Sequence, residues 1–180
     1  MVQKIDNMQH EIILLLLKGK VHLREIARLL GESHSTVLRK INRMVEGGVI
    51  DTERQGKNKI YSIRDNLMAR SFIYMAENYK LVKLLDKYPK LRIILEDVLK
   101  KTDEELIVVF GSYAKFSAGS NSDIDIFVET KDGDVKEQVK RLNSKLSVKI
   151  GPFDKISLLI KEIIKDHVII RGVEEFYNKI

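Results

Sequence analysis

Two aspartates one residue apart, Asp123 and Asp125, are the side chains in this sequence best suited to metal chemistry. They lie in the segment SDIDIFVE, where polar and apolar residues alternate as expected of a β-strand. Residues two apart in a strand project from the same face, so the two carboxylates should lie side by side. Neighbouring carboxylates repel each other, and a bound hard cation relieves that repulsion. Mg²⁺ takes such oxygen ligands and completes its coordination with water and substrate phosphates.

A glycine and a serine follow the preceding apolar run, LIVVF, which is predicted to be a buried strand. Gly111 lets the backbone approach a ligand closely, and Ser112 offers a hydroxyl and a backbone N–H group to a phosphate. The sequence therefore predicts a nucleoside-triphosphate site, with Gly111 and Ser112 at the phosphates and Asp123 and Asp125 at the metal. The alternative is that the two aspartates belong to a strand edge that binds nothing.

The arrangement G-S-x10-D-x-D resembles the signature of the minimal nucleotidyltransferases of the polymerase-beta-like superfamily. VVF, GSYAK and SDIDIFV are similar to that family as well, and the resemblance covers about residues 100–180. It implies Mg²⁺ at Asp123 and Asp125, a nucleoside triphosphate (ATP is the expected one) at Gly111 and Ser112, and catalytic roles for Asp123, Asp125 and Ser112. The implied reaction transfers a nucleoside monophosphate to an acceptor hydroxyl and releases pyrophosphate, with metal ions stabilising the attacking and leaving oxygens.

The resemblance is incomplete at two positions. Phe116 stands where the family commonly has glycine, so the loop after Ser112 could take a different shape. Active members also carry a third carboxylate on a later strand, and the matching strand here, LSVKI (146–150), has Lys149 at that position. Asp154 could substitute if the strand continues. The sequence therefore leaves open whether catalysis is retained, because deprotonating an acceptor without the third carboxylate is harder.

The N-terminal third has the pattern of three helices followed by a β-hairpin. Apolar residues recur at helical spacing in residues 2–18, beginning with Ile5, and again in 22–30 and after Ser33. Gly19, Gly31 and the pair Gly47-Gly48 are predicted to end the three helices, and Ser33 to cap the third. Residues 49–63 read as a strand, a glycine-containing tip and a return strand.

This order resembles the winged helix-turn-helix family, on the stretch LREIARLLGESHSTVLRKINRMVEGGVI and over about residues 8–64. The resemblance implies binding to double-stranded DNA, with the third helix in the major groove and the wing on the backbone or the minor groove. The alternatives are a solvated charged face and a protein-interaction module. The residues expected to contact DNA are Ser35, Thr36, Arg39, Lys40 and Arg43 on the third helix, with His34 beside them, and Arg54, Lys57 and Lys59 on the wing, with Asn58.

Charge is distributed unevenly along the 180 residues, whose net charge is +6. Residues 1–64 hold 12 lysines and arginines against 7 aspartates and glutamates, whereas residues 65–180 hold 20 against 19. The asymmetry indicates a polyanionic partner for the N-terminal part. The absence of cysteine excludes disulfides, thiolate zinc sites and cysteine nucleophiles. Since no segment reads as a signal peptide or a membrane span, we expect a cytoplasmic protein without membrane contact.

Together these patterns predict an α+β protein, with a winged helix-turn-helix, a helical linker and a nucleotidyltransferase-like mixed sheet with flanking helices. A long helix between small domains often pairs with its copy, so a homodimer is expected. Three functions stay open. They are a DNA-associated nucleotidyltransferase, antitoxin-like and with a partner protein among its acceptors; a transcriptional regulator whose catalytically inactive domain senses a nucleotide; and a structural dimerisation domain. The expected segments are 1–64, 65–102 and 103–180.

Overall fold

The computed structural model describes residues 7–56 and 58–180 of the chain. The protein divides into two compact units, the first ending at Tyr79 and the second comprising Lys80–Ile180. The division falls inside one long helix, Leu67–Lys87, which the sequence assigned to a separate linker. None of the helices within the described ranges combines the length and the apolar character needed to cross a membrane.

The first unit packs helices against a small antiparallel sheet, and the strand order is β1-β3-β2. Buried residues of α1, α2, α3 and the two long strands share one apolar cluster, which includes Ile12, Ile26, Ile41 and Tyr61. This is a winged helix-turn-helix fold, as the sequence predicts. Its elements are α1 (Met8–Leu16), β1 (Val21–His22), α2 (Leu23–Leu30), α3 (His34–Glu46), β2 (Ile50–Gln55), β3 (Asn58–Ile63) and the start of α4 (Leu67–Lys87).

The end of α2 and the start of α3 lie where the sequence places them, whereas α1 ends at Leu16, before the predicted Gly19. Gly31 ends α2 in the left-handed conformation, with φ of +66°, and the Ser33 hydroxyl accepts the Thr36 N–H group at the start of α3 over 3.1 Å. The first helix is found from Met8, and Ile5 lies outside the described residues. Strand β1 was not predicted, because two residues are too few to show an alternating pattern.

A hydrogen bond fixes α4 to α1 within the first unit. The Tyr79 hydroxyl donates to Glu11 Oε1 over 2.8 Å. Burial, together with this bond to a carboxylate, raises the pKa of Tyr79 to about 12. The phenol is therefore neutral at physiological pH and stays a donor to Glu11.

The second unit is a mixed four-stranded sheet in the order β6-β5-β4-β7. Strand β4 pairs antiparallel with β5 and β7, whereas β5 and β6 are parallel. The α+β class predicted from the sequence is confirmed. The further elements are α5 (Leu91–Lys101), β4 (Ile107–Phe110), α6 (Gly111–Ala114), β5 (Ile124–Glu129), α7 (Gly133–Lys140), β6 (Leu146–Gly151), α8 (Leu158–Lys165), β7 (Val168–Arg171) and α9 (Val173–Lys179).

Helices cover both faces of this sheet. On one face Val109 and Ile126 pack in a cluster with residues of α5 and α7. On the other face Phe110 and Phe127 pack with residues of α8 and α9, such as Ile163. Because both faces are covered, β4 is buried at every position and reads as a continuous apolar run rather than an alternation.

Candidate functional site

The helix predicted to read DNA, α3, separates its apolar and polar residues cleanly. Val37, Ile41 and Met44 are buried in the first unit. The residues predicted to face DNA lie on the other side, where Ser35, Arg39 and Arg43 are exposed and Thr36 and Lys40 are half-buried.

Two of these α3 residues also belong to the cap of the helix. Ser33 Oγ lies 3.1 Å from Ser35 Oγ and 2.8 Å from Thr36 Oγ1. The hydroxyls of Ser35 and Thr36 are therefore held at the start of the helix. Arg39 and Arg43, by contrast, make no ion pair within the ranges that the structure describes.

The hairpin formed by β2 and β3 places two cations directly opposite each other. Arg54 is in register with Lys59, and both side chains are exposed. Like charges opposite each other in an antiparallel pair destabilise it, and an anion between them would relieve the repulsion. Lys57 lies outside the described residues.

A groove of about 550 Å³ lies between the hairpin and the helix pair of the first unit. It is lined by Arg24 of α2, His34 and Leu38 of α3, and Lys59 of β3, among others. Arg24 was not predicted as a candidate from the sequence. It lies on the polar side of the amphipathic stretch HLREIARLL, and that position is the signal that would have identified it.

In the second unit the two aspartates lie at the start of β5, where β4 ends. Asp125 is in register with Phe110, the last residue of β4. The strand begins at Ile124, so Asp123 comes just before it rather than inside it. Asp123 is exposed and Asp125 is half-buried, whereas Ile124 and Ile126 are buried on the opposite side.

Glycine is required at position 111 for two reasons. Gly111 has φ of +67°, a conformation that residues with a side chain rarely adopt. A Cβ atom built there would also overlap the carboxylate of Asp125 at Oδ2. The backbone turn and the Asp125 carboxylate therefore lie in direct contact, which the spacing in the sequence could not reveal.

The polar groups around this turn are available to a ligand. Among the described residues, no hydrogen bond or ion pair engages the carboxylates of Asp123 and Asp125 or the hydroxyl of Ser112. The Ser112 carbonyl accepts the Ser117 N–H group over 3.0 Å, which closes the loop behind the turn. Within residues 7–56 and 58–180, no group of three or more His, Cys, Asp or Glu side chains converges where it could hold a metal ion.

Parallel pairing with β6 places polar residues beside Asp125. Ser147 is in register with Asp125, and Lys149 is in register with Phe127. Side chains in register on neighbouring strands share a face, so both project on the Asp125 side. The residue next to Asp125 is therefore a serine. Lys149, to which the sequence gave the third-carboxylate position, lies one step further along.

A comparison with protein families matches residues 91–174 to the family described as "Nucleotidyltransferase domain". Residues 91–174 are a nucleotidyltransferase domain. The match begins at the first residue of α5, so this helix, which the sequence placed in the linker, is part of the matched segment.

Phe116 of the nucleotidyltransferase domain has a backbone conformation that favours glycine. Its φ is +56°, and its N–H group donates to the Tyr113 carbonyl over 2.9 Å. Its own carbonyl accepts the Lys87 ammonium over 2.5 Å. The loop therefore turns at Phe116 in a left-handed conformation, which glycine adopts easily and which residues with a side chain rarely adopt.

Asp154 does not extend β6. The strand ends at Gly151, and Asp154 Oδ1 accepts the Ile156 N–H group over 3.0 Å within the following turn. The condition under which Asp154 could replace the missing carboxylate, a longer strand, is not met.

Solved structures resemble the chain in part. A homodimeric winged helix-turn-helix DNA-binding domain from Mycobacterium bovis, a proposed ArsR-family regulator, is 24% identical with a TM-score of 0.37, over 39% of this chain and 66% of that one. A transcriptional repressor from Xylella fastidiosa is 18% identical (TM-score 0.36, 38% and 67%). A proposed nucleotidyltransferase from Sulfolobus solfataricus is 20% identical (TM-score 0.34, 55% and 89%). No curated protein matches the chain significantly.

Proposed function

We propose that this protein binds a nucleoside triphosphate together with Mg²⁺ in its nucleotidyltransferase domain and duplex DNA through its winged helix. The observation that carries the first part is the contact between Gly111 and the Asp125 carboxylate. The side chains of Asp123 and Ser112 lie beside it and make no hydrogen bond or ion pair among the described residues. The phosphates would lie on the backbone of Gly111 and Ser112, and ATP is the nucleotide to test first.

The two aspartates fit Mg²⁺ held jointly with a nucleotide. Mg²⁺ is usually bound by one or two carboxylates plus substrate phosphates and water, rather than by a cage of protein ligands. Asp123 and Asp125 supply two carboxylates that no cationic side chain within residues 7–56 and 58–180 pairs with. When bound, the metal would neutralise the charge of the triphosphate.

The residues of β6, the strand beside Asp125, favour a domain that binds a nucleotide without transferring it. Ser147 lies beside Asp125, and Lys149 brings a positive charge to the same face. Neither residue can act as a carboxylate base for an acceptor hydroxyl. The protein would then be a transcriptional regulator that senses a nucleotide.

Transfer of a nucleoside monophosphate is the second candidate, and the intact Gly111-Ser112 turn with its aspartate pair favours it. In that case Asp123, Asp125 and Ser112 are the catalytic residues. The acceptor would be a hydroxyl of a nucleic acid, a small molecule or a partner protein, as in an antitoxin.

DNA binding is supported by cations on two elements of the first unit. Arg39 and Arg43 are exposed on α3, and Arg54 and Lys59 face each other on the wing. The proposed surface also includes Ser35, Thr36 and Lys40 of α3, and Lys57. Affinity for duplex DNA should fall as salt rises, because phosphate contacts release counterions.

A homodimer is supported by apolar side chains exposed on α4. Leu67 is 81% exposed, Met68 52% and Met75 43%. Met68 and Met75 are seven residues apart, which is two turns of the helix, so they share a face that a second copy of α4 could cover.

The test is calorimetric titration with ATP and GTP, with and without Mg²⁺. The wild-type protein should bind ATP in the presence of Mg²⁺, and Asp123→Ala with Asp125→Ala should weaken this binding at least tenfold. Asp134→Ala with Glu137→Ala, which removes two exposed carboxylates from α7 of the same domain, should leave it unchanged. Equal affinity in all three proteins would overturn the proposal.

Pyrophosphate release separates the two candidates. The nucleotide-sensing reading expects ATP binding without release when cell extract is added as a source of acceptors. Mg²⁺-dependent release that disappears in the Asp123→Ala, Asp125→Ala variant would establish transfer instead.

A further inference from the structure

The second unit contains a cavity of about 630 Å³, next to the segments that form the proposed nucleotide site. It borders the turn between α4 and α5, the loop after α6 and the loop before β6. Its aromatic and aliphatic lining residues include Tyr88, Leu91, Ile94, Tyr113 and Ile124.

This cavity lies on the other side of β5 from the aspartates. Ile124 stands between Asp123 and Asp125 in the sequence, and alternate residues of a strand project from opposite faces. Ile124 and Tyr113 both belong to the buried cluster that α5 covers, whereas Asp125 shares the face of Phe127. A ligand in the cavity would therefore not occupy the proposed metal site.

Aromatic and aliphatic side chains form the walls of the cavity. The rings of Tyr88 and Tyr113 meet edge to face, with centroids 4.9 Å apart and an interplanar angle of 72°. The Tyr88 hydroxyl is buried without a hydrogen-bond partner among the described residues. Such walls favour a flat ring, because aromatic rings pack well in edge and offset arrangements.

The charged side chains that line the cavity, among the described residues, are all positive. Lys87, Lys90 and Lys145 line it, and none of the described residues that line it is an aspartate or glutamate. The Lys145 ammonium donates to the Ser120 carbonyl over 2.6 Å, a neutral partner that leaves its charge uncompensated. Lys90 has no ion pair within the described ranges. Lysines beside a low-dielectric wall concentrate anions.

We propose that this cavity binds a planar aromatic molecule that carries an anionic group. The ring would lie against Tyr113 and Ile124, and the anion would lie near Lys90 and Lys145. An aromatic carboxylate and a nucleoside monophosphate share this chemistry. Neither would need Mg²⁺ here, because lysines rather than carboxylates provide the polar contacts.

The experiment titrates the full chain with 2-naphthoate, with AMP and with 2-naphthylmethylammonium, all in excess EDTA so that no divalent cation is present. At least one of the two anions should bind with one site per chain, and the cation, which has the same ring as 2-naphthoate, should bind at least tenfold more weakly. Binding of 2-naphthoate alone would identify an aromatic carboxylate as the class of ligand, and binding of AMP a nucleotide.

Two variants locate the binding. Lys90→Glu should weaken it at least tenfold through the charge, and Ile94→Trp should weaken it by filling the cavity. Lys100→Glu, on the same helix as Ile94 but outside the cavity, should change it little. No binding of either anion at millimolar concentration, equal binding of the cation, or unchanged affinity in the Lys90→Glu protein would overturn the proposal. The Asp123→Ala, Asp125→Ala protein should retain binding, so failure of the nucleotide proposal and failure of this one are distinguishable.

Discussion

Gly111 brings the backbone of the turn after β4 into contact with the carboxylate of Asp125, the proposed metal ligand. Any side chain at this position would strain a left-handed backbone and displace Asp125. The residue therefore has a role that is both conformational and steric, although it offers no functional group.

Gly111→Ala should reduce both stability and nucleotide affinity. A residue other than glycine in this conformation costs about 1–3 kcal/mol of unfolding free energy. Binding of Mg²⁺ and ATP should fall at least tenfold, because Asp125 must move. Denaturant unfolding and calorimetry measure the two effects.

Gly119→Ala is the matched control. A Cβ atom at Gly119 meets no other atom within 4 Å, so this variant should behave like the wild type. If Gly111→Ala bound ATP with wild-type affinity, the turn would not form the proposed site.

Replacing Ser147 with aspartate should add a third carboxylate beside those of Asp123 and Asp125. Neighbouring strands lie about 4.8 Å apart, so Ser147→Asp would project a carboxylate next to Asp125. We expect Mg²⁺-dependent pyrophosphate release from ATP, with extract as acceptor source, to rise at least tenfold over the wild type. Lys149→Asp, one step further along, should raise it less.

Ser144→Asp controls for added negative charge, since it lies in the loop before β6. A larger gain from Lys149→Asp than from Ser147→Asp would restore the assignment made from the sequence. No gain from either variant would mean that more than a carboxylate separates this domain from an active one.

Among the secondary-structure elements, the hairpin that forms the wing holds two cations that repel each other. Arg54 and Lys59 face each other across the hairpin, in a unit where Glu53 is paired with Lys20 over 2.8 Å. Without a bound anion, the hairpin would be more stable with one cation and one neutral residue at these two positions. The arrangement is understandable if an anion is bound there.

Arg54→Gln should therefore have opposite effects on stability and on DNA binding. Removing one of the facing cations should raise the unfolding free energy by about 0.5 kcal/mol. Affinity for duplex DNA should fall, and the slope of log affinity against log salt should shrink by about 1. Thermal unfolding and a salt series of binding titrations measure these changes.

Two controls accompany the wing variant. Lys140→Gln removes one positive charge from α7, in the other unit, and should leave the salt slope unchanged. Arg39→Ala with Arg43→Ala should weaken DNA binding without the gain in stability. A wing variant that bound DNA as the wild type does would exclude Arg54 from the interface.

At the scale of the whole molecule, the chain combines two units of different character. Basic residues on α3 and the wing belong to the first unit, and the nucleotidyltransferase domain lies in the second. The proposed function assigns DNA to one and nucleotide to the other. Dimerisation through α4 would provide two DNA-binding units, as winged helices that bind two half-sites require.

Sedimentation should give a mass near twice the 20.8 kDa of one chain. Met75→Glu places a charge among the exposed apolar residues of α4 and should shift the protein to the monomer. Arg70→Gln makes the same change in net charge elsewhere on the helix and should not. A wild-type protein that sediments as a monomer at micromolar concentration would contradict the expected homodimer.

Most elements could be predicted from the sequence because their signals are local. Apolar spacing located α2, α3 and α8, and the cap at Ser33 and the stop at Gly31 depend on neighbours within a few residues. The α+β class follows from the order of these elements. The pair Asp123 and Asp125 was identified in the same way, from strand periodicity and from the family spacing.

Contacts between residues that are far apart in the sequence could be identified only from the tertiary structure. The register of β6 decided that Ser147, rather than Lys149, lies beside Asp125, and the end of β6 at Gly151 removed Asp154 from the strand. The contact of Gly111 with Asp125 and the pairing of Arg54 with Lys59 also depend on how strands pair. Periodicity specifies which face a residue takes, but register depends on the packing of the whole sheet, and no local pattern encodes it.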